Sequence, residues 1–211
     1  MNFLTAMLLN NYYDNICCEH LEYYSLTSLK HLLGRHSLEA YRVERNDVNG
    51  GSLRIYIGFK GKHPVQFSVY EMLQEEKSLQ LYDIRPYRLF KKRIDSLKSR
   101  LKQIILARVS TGKTVYVYGA STRGNTILQY CGLDHNIIKK AADANPEKHG
   151  RVTVGTKIPI VSKDDARKDH PDYFLVLPYH FISEIVQEEE QYLANGGKII
   201  LPLPEPMILG H

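Results

Sequence analysis

Val115-Tyr-Val-Tyr-Gly119-Ala-Ser-Thr-Arg-Gly124-Asn-Thr126 reads as a short β run that empties into a small-residue loop and then into a helix. An α/β sheet holds phosphates at such a junction. The start of a helix leaves unpaired N–H groups and the positive end of the dipole aimed at one spot. Gly119 lets the chain turn out of the strand, and Gly124 lets the helix lie close to it. Ser121 and Thr122 add hydroxyl groups, and Arg123 adds a fixed cationic fork suited to phosphate. The loop departs from the dinucleotide pattern G-x-G-x-x-G, because Ser121 occupies the place of the middle glycine. An acidic residue follows one strand later, at Asp143 in Ala-Ala-Asp-Ala-Asn145-Pro. These features favour a nucleotide-like ligand over a nicotinamide cofactor. A strand–turn–helix corner that binds nothing is the alternative reading.

Outward from this loop, the last hundred residues alternate strand and helix. Strands are expected at about 114–118, 139–142, 157–161, 173–177 and 198–201, with helices at about 123–131 and 181–194. Such alternation predicts an α/β fold: a small Rossmann-like parallel sheet, helices on both faces, joined by right-handed crossovers. Ligands of such sheets sit off the carboxyl ends of the strands. Three segments converge there: the 119–125 loop, Asp143 to Asn145, and Pro178-Tyr179-His180. His180 at that edge is expected either to titrate or donate to a phosphate near neutral pH, or to cap the next helix or face solvent. The proline-rich stretch from Pro202 to Pro206 reads as an extended tail.

Earlier in the chain, Tyr13–Cys18 is an apolar run suited to a buried strand. Ser25 is placed to N-cap a helix with Leu26, Leu29, Leu32 and Leu33 on one face, ended by Gly34. Two β runs, Leu38–Glu44 and Ser52–Gly58, flank an Asn49-Gly50-Gly51 turn. Residues 65–111 look helical with a break near Arg85-Pro86. The expected division is 1–61 as a partial α/β segment, 62–112 as a helical linker, 113–204 as the nucleotide-binding domain and 205–211 as a tail.

Composition narrows the functional classes. Of 211 residues, 43% are hydrophobic and 24% charged, as in ordinary globular proteins. No segment approaches a membrane span, and the first residues lack the basic flank and cleavage site of a signal peptide. Cys17, Cys18 and Cys131 suggest neither a disulfide framework nor a zinc site, so a reducing cytoplasm is expected and no metal site is assigned. Between Arg85 and Lys113, ten Lys or Arg residues face a lone acidic residue, Asp95. Phe90, Ile94, Leu97, Leu101 and Ile104 nevertheless form one apolar stripe along that run. Its cations read as the solvated face of an amphipathic helix rather than as a nucleic-acid interface.

A second chemical cluster lies at Cys17-Cys18-Glu19-His20, followed by Tyr23-Tyr24-Ser25. A carboxylate beside a histidine can orient the imidazole and raise its basicity, which suits proton abstraction. Neighbouring Glu and His also occur together by chance, and the pair needs a turn after Cys18 to converge.

Taken together, these motifs resemble the S-adenosylmethionine-dependent sugar C-methyltransferases. The run Tyr13-Asp14 to Leu29, containing Glu19-His20 and Tyr23-Tyr24-Ser25, looks like one segment of that family. Asn49-Gly50-Gly51-Ser52-Leu53-Arg54 looks like its next motif. Gly119–Thr126, Tyr130–Leu133, Asn145-Pro146, Gly150-Arg151, Gly155–Pro159 and Leu175–His180 look like its C-terminal nucleotide-binding domain. The match is collinear from about residue 12 to Pro204. It implies methylation at C3 of a nucleotide-linked 4-keto-deoxysugar, through an enolate formed when a base removes the proton beside the ketone. Under this resemblance His20 is the proton-handling group and Glu19 its orienting or substrate-contacting neighbour. Tyr23, Tyr24, Ser121, Thr122, Arg123, Asn125, Asp143, Asn145, Tyr179 and His180 become substrate contacts.

Two departures stand out. Cys17 replaces the tyrosine of the family's Tyr-x-Glu-His. The 211 residues also contain no Asp/Glu-x-Gly-x-Gly loop for the methyl donor, and no cysteine-rich zinc module. The expectation is therefore the C-terminal half of such an enzyme, with Met1 inside the methyltransferase domain. S-adenosylmethionine is implied by resemblance only, and a separate chain could carry the donor domain, without which methyl transfer is not expected. A stand-alone nucleotide-binding or interaction module is the alternative, and a nicotinamide-dependent oxidoreductase comes third.

Overall fold

A computed structural model describes residues 3–46 and 51–210. Two compact units emerge, Met1–Asn15 with Glu19–Arg93, and Ile16–Cys18 with Ile94–His211.

The first unit begins with helix α1 (Leu4–Asn10), ended by Asn11 in the left-handed conformation. The expected strand at Tyr13–Cys18 is instead a 3₁₀ turn at Tyr13–Asn15 followed by bends. Asp14 and Asn15 in its middle explain the difference, since their short polar side chains favour turns over a β ladder. Helix α2 (Leu26–Gly34) starts where expected: Ser25 Oγ accepts the Ser28 N–H at 3.0 Å, and Ser28 Oγ accepts the Ser25 N–H at 3.1 Å. Leu26, Leu29 and Leu33 are buried, but Leu32 is exposed, because it lies roughly 60–120° around the helix from the other three. Strands β1 (Leu38–Asn46) and β2 (Ser52–Phe59) pair antiparallel, from Leu38 opposite Phe59 to Asn46 opposite Ser52, with a bulge between Ala40 and Arg42. Asn49 and Gly50 of the expected turn lie outside the described residues. Helix α3 (Phe67–Ser78) closes the core, placing Val69 and Met72 with Phe3, Leu26, Leu33, Ala40, Val43 and Leu53.

One long-range cap was invisible in the sequence. Glu76 of α3 is buried, and its carboxylate accepts the N–H groups of Leu26 at 2.6 Å and Thr27 at 2.8 Å, together with the Thr27 hydroxyl at 2.6 Å. A carboxylate at a helix start satisfies orphan donors and meets the positive dipole end. Glu76→Ala is expected to destabilise this unit by about 2–4 kcal/mol, through loss of charge-assisted hydrogen bonds in a buried place. Denaturant unfolding followed by circular dichroism measures it; a change below about 0.5 kcal/mol, the level of an ordinary surface substitution, denies the cap its importance.

Helix α4 (Arg85–Val109) carries Pro86 in its first turn, where the missing N–H costs nothing. Phe90, Ile94, Leu97, Leu101 and Ile105 are buried along it; the last of these replaces the expected Ile104. Among the basic residues, Arg93 is not merely solvated: its guanidinium donates to the Leu8 carbonyl at 2.6 Å and to Asn11 Oδ1 at 2.8 Å, capping the end of α1.

The second unit holds the mixed α/β fold. Its strands are β3 (Val115–Tyr118), β4 (Ala141–Ala142), β5 (Ile160–Val161), β6 (Tyr173–Val176), β7 (Lys198–Leu201) and β8 (Met207–Leu209). They form one sheet in the order β5-β4-β3-β6-β7-β8; only the β7–β8 pair is antiparallel. Helix α5 (Thr122–Cys131) links β3 to β4, α6 (Lys163–Lys168) precedes β6, and α7 (Ile182–Glu188) and α8 (Glu190–Ala194) precede β7. The central strands are buried throughout, as Val117, Leu175, Val176 and Ile200 illustrate, which is the pattern of parallel strands covered on both faces. All five expected strands are present. The expected tail is partly a sixth, since the chain returns after the prolines to pair with β7. Helix α6 also escaped the sequence reading; it is short, with Ser162 as N-cap, Asp164 and Asp165 in the first turn and Arg167 and Lys168 in the last. Among the described residues, no helix is long and apolar enough to cross a membrane.

Candidate functional site

The strand order alone points to a candidate site. From β3 the chain moves outward to β4 and β5, then returns to the other side of β3 as β6 and β7. With right-handed crossovers, helices on the two sides of β3 fall on opposite faces, and the switch-point crevice expected of such a sheet lies between the carboxyl ends of β3 and β6. The loop after β3 is Gly119–Ser121, and the segment after β6 is Leu177–His180.

Close packing shapes this crevice. Gly119 has φ +88°, and a Cβ there would lie 2.7 Å from Pro178 Cδ. At Gly124 a Cβ would lie 2.7 Å from Leu177 Cδ1. Both glycines are thus required by close approach between the two segments. Ser121 is the N-cap of α5, its Oγ accepting the Gly124 N–H at 3.0 Å. Thr122 and Arg123 follow at N1 and N2, where backbone N–H groups have no intrahelical acceptor.

Arg123 reaches across the crevice. Its Nη2 donates to His180 Nε2 at 2.6 Å and approaches the Tyr179 hydroxyl at 3.5 Å, while the Tyr179 and His180 rings lie 4.0 Å apart. Accepting from a guanidinium requires an unprotonated Nε2, so His180 is neutral with its proton on Nδ1. Burial, reinforced by the Arg123 charge, pushes its pKa down from 6.5 to about 4. The expectation of a histidine titrating near neutral pH is thereby corrected. Because the folded-state value lies below the unfolded one, the stability that neutral His180 contributes is complete above about pH 6.5 and is lost as pH falls towards 4. A proton NMR titration of His180 should show a midpoint near 4, and Arg123→Gln should move it upward. A midpoint near 6.5 in the unaltered chain contradicts the contact.

Asp143 is turned inward. Its Oδ2 accepts the Ala120 N–H at 2.7 Å, and its Oδ1 accepts the Asn145 N–H at 2.9 Å. Burial alone would raise its pKa, but these N–H groups and Lys148 outweigh burial and hold it below the usual carboxylate range. Asn145 caps a 3₁₀ turn at Pro146–Lys148 through the Glu147 N–H at 3.0 Å. Asn125 presents a buried Oδ1 that has no hydrogen-bond partner among the described residues.

In the first unit, His20 Nδ1 and the Tyr23 hydroxyl both donate to the Asn15 carbonyl, at 2.7 and 3.0 Å. The peptide carbonyl therefore orients the imidazole, and in its neutral form Nε2 is the lone-pair nitrogen. Glu19 is exposed, and Tyr24 forms an isolated parallel bridge with Phe3. Asn15 and Lys148 are the participants that sequence reasoning missed. A main-chain acceptor has no residue signature, whereas Lys148 could have been suspected from its place in a turn opened by Asn145-Pro146.

A family model for the C-methyltransferase C-terminal domain matches residues 47–204. The chain belongs to that family. It is also 38% identical over 208 residues to the C-methyltransferase NovU of Streptomyces niveus, an alignment covering 98% of this chain and 50% of that protein. The chain thus spans about half the length of the curated relative it matches. Methyltransferases of this kind use S-adenosylmethionine as donor. The described residues do not fit that group at the loop after β3: Ser121 stands at the middle glycine position, and the Ala120 N–H is already taken by Asp143. No donor contact is assigned here.

Proposed function

We propose that the chain is part of a sugar C-methyltransferase that acts on a nucleotide-linked 4-keto-deoxysugar. The start of α5 is assigned to the diphosphate, and His20 to removal of the proton beside the ketone. The observation that carries the reading is the convergence, at the sheet's switch point, of a helix start, the Arg123 guanidinium and a histidine kept neutral by burial and by that guanidinium.

The residues divide the work. Thr122 and Arg123 offer main-chain donors and the cationic fork to the diphosphate, with Ser121 shaping the helix start. Tyr179 and His180 hold the guanidinium in place. In the first unit, Nδ1–H donation to Asn15 fixes the tautomer in which His20 Nε2 can accept a proton. Glu19, Tyr23 and Tyr24 stand as sugar contacts, and Asn125 and Asn145 as further contacts to the nucleotide. The sulfonium donor supplies an electrophilic methyl group; its binding elements are proposed to lie outside these residues, on the same or a separate chain. Cys17, Cys18 and Cys131 stay thiols in the reducing cytoplasm assigned to this reading. A nicotinamide cofactor suits the loop less well, because both Asp143 oxygens already serve main-chain donors rather than a ribose.

Titration calorimetry tests the proposal. A nucleoside diphosphate is expected to bind the chain, with little heat from S-adenosylmethionine. Arg123→Gln should weaken the diphosphate at least about tenfold, as loss of a charge-assisted, forked contact does. The reverse ligand preference, or unaltered affinity in Arg123→Gln, overturns the reading.

A further inference from the structure

We infer that Lys148 is a positioning residue of the anion loop, which clamps the Ala120 peptide and cancels the Asp143 charge so that an anion can occupy the start of α5. The inference deepens the diphosphate reading and rests on it.

Both polar groups of Ala120 are consumed. Its N–H donates to Asp143 Oδ2 at 2.7 Å, and its carbonyl accepts Lys148 Nζ at 3.0 Å. Lys148 and Asp143 meet directly at 3.1 Å, closing a triangle around one peptide. Asp143 is anchored from behind as well, by the Asn145 N–H on its other oxygen and by His149 Nε2, which donates to its carbonyl at 2.8 Å. The loop reaching the helix start is therefore rigid without help from a ligand, and pre-organised sites lose less freedom on binding.

The charge balance explains why a lysine is needed. Asp143 is buried, and its hydrogen bonds keep it ionised at neutral pH. A full negative charge held on the Ala120 N–H, beside the N-cap Ser121, opposes an anion at the helix start, and water is largely excluded from screening it. The Lys148 ammonium removes that opposition while its stem stays half-buried. A clamp built from two neutral groups would hold the peptide equally well, so the pair serves binding as well as folding.

The test uses inorganic pyrophosphate as probe, with calorimetry on the full chain and amide hydrogen exchange alongside. Lys148→Met should weaken pyrophosphate roughly tenfold or more, the scale of an unscreened like charge nearby. Asp143→Asn combined with Lys148→Met should recover most of that loss, because the opposing charge is gone. A double variant as weak as Lys148→Met overturns the inference, since Lys148 then touches the anion itself or acts only in folding. Exchange at the Ala120 amide should quicken in Lys148→Met while that of Val117 in β3 does not; unchanged Ala120 exchange denies the clamp. If the wild-type chain does not bind pyrophosphate, the diphosphate reading fails and the charge role falls with it, whereas the exchange result still decides the clamp.

Discussion

A valine at Gly119 is expected to destabilise the second unit by about 2–5 kcal/mol, the sum of a left-handed backbone penalty and overpacking. Gly119 has φ +88°, a conformation that a β-branched residue resists. Its new Cβ would also lie 2.7 Å from Pro178 Cδ and 3.0 Å from Pro178 Cγ. The proline ring cannot swing aside as a flexible side chain would, so the segment after β6 must move. That segment carries Tyr179 and His180, and the Arg123 contact should loosen with it. Chemical denaturation reads the stability loss, and His180 titration in the same variant should move back towards its ordinary value. Stability within about 1 kcal/mol of wild type, the centre of ordinary substitutions, shows that the crevice is not packed as described.

His20→Gln is expected to slow solvent-deuterium exchange at the carbon beside the ketone of a nucleotide-linked 4-keto-deoxysugar by roughly 10²–10⁴-fold, the range of general-base catalysis. Exchange reports proton removal alone and therefore needs no methyl donor. Tyr23→Phe serves as the comparison, since it removes the hydroxyl that shares the Asn15 carbonyl with His20 and leaves the imidazole in place. Its effect should be much smaller. Exchange at the wild-type rate in His20→Gln would remove His20 from the proposed chemistry. No exchange by the wild-type chain would favour a binding module without catalysis.

Much of the second unit could be read directly from residue order. Its strands are continuous apolar runs bounded by glycine, proline and helix starts, and parallel pairing makes such runs conspicuous. The Gly119–Gly124 loop carried a local signal as well, since φ and close approach leave little choice but glycine. Elsewhere local signals misled. Tyr13–Cys18 is apolar enough for a strand, yet Asp14 and Asn15 turn it. The proline-rich end looked like a tail because prolines break ladders, but the three residues Met207–Leu209 beyond them pair with β7. Among the candidate site residues, Ser121 caps α5 and Arg123 lies in its first turn, whereas Asp143 faces the loop backbone and the pKa of His180 is pushed down to about 4.

By itself the sequence determined the α/β alternation, the helix start after β3 and the kinship with C-methyltransferases, because each rests on local periodicity or on the order of motifs along the chain. Only the tertiary structure decided that β3 is the switch strand, that Glu76 caps a helix 50 residues away, and that Lys148 and Asp143 enclose the Ala120 peptide. The same holds for the neutral state of His180, which needs both burial and a guanidinium 57 residues distant in the chain. Charge state and hydrogen-bond partnership depend on distance in space and on exclusion of water, and neither quantity is written in the spacing of residues.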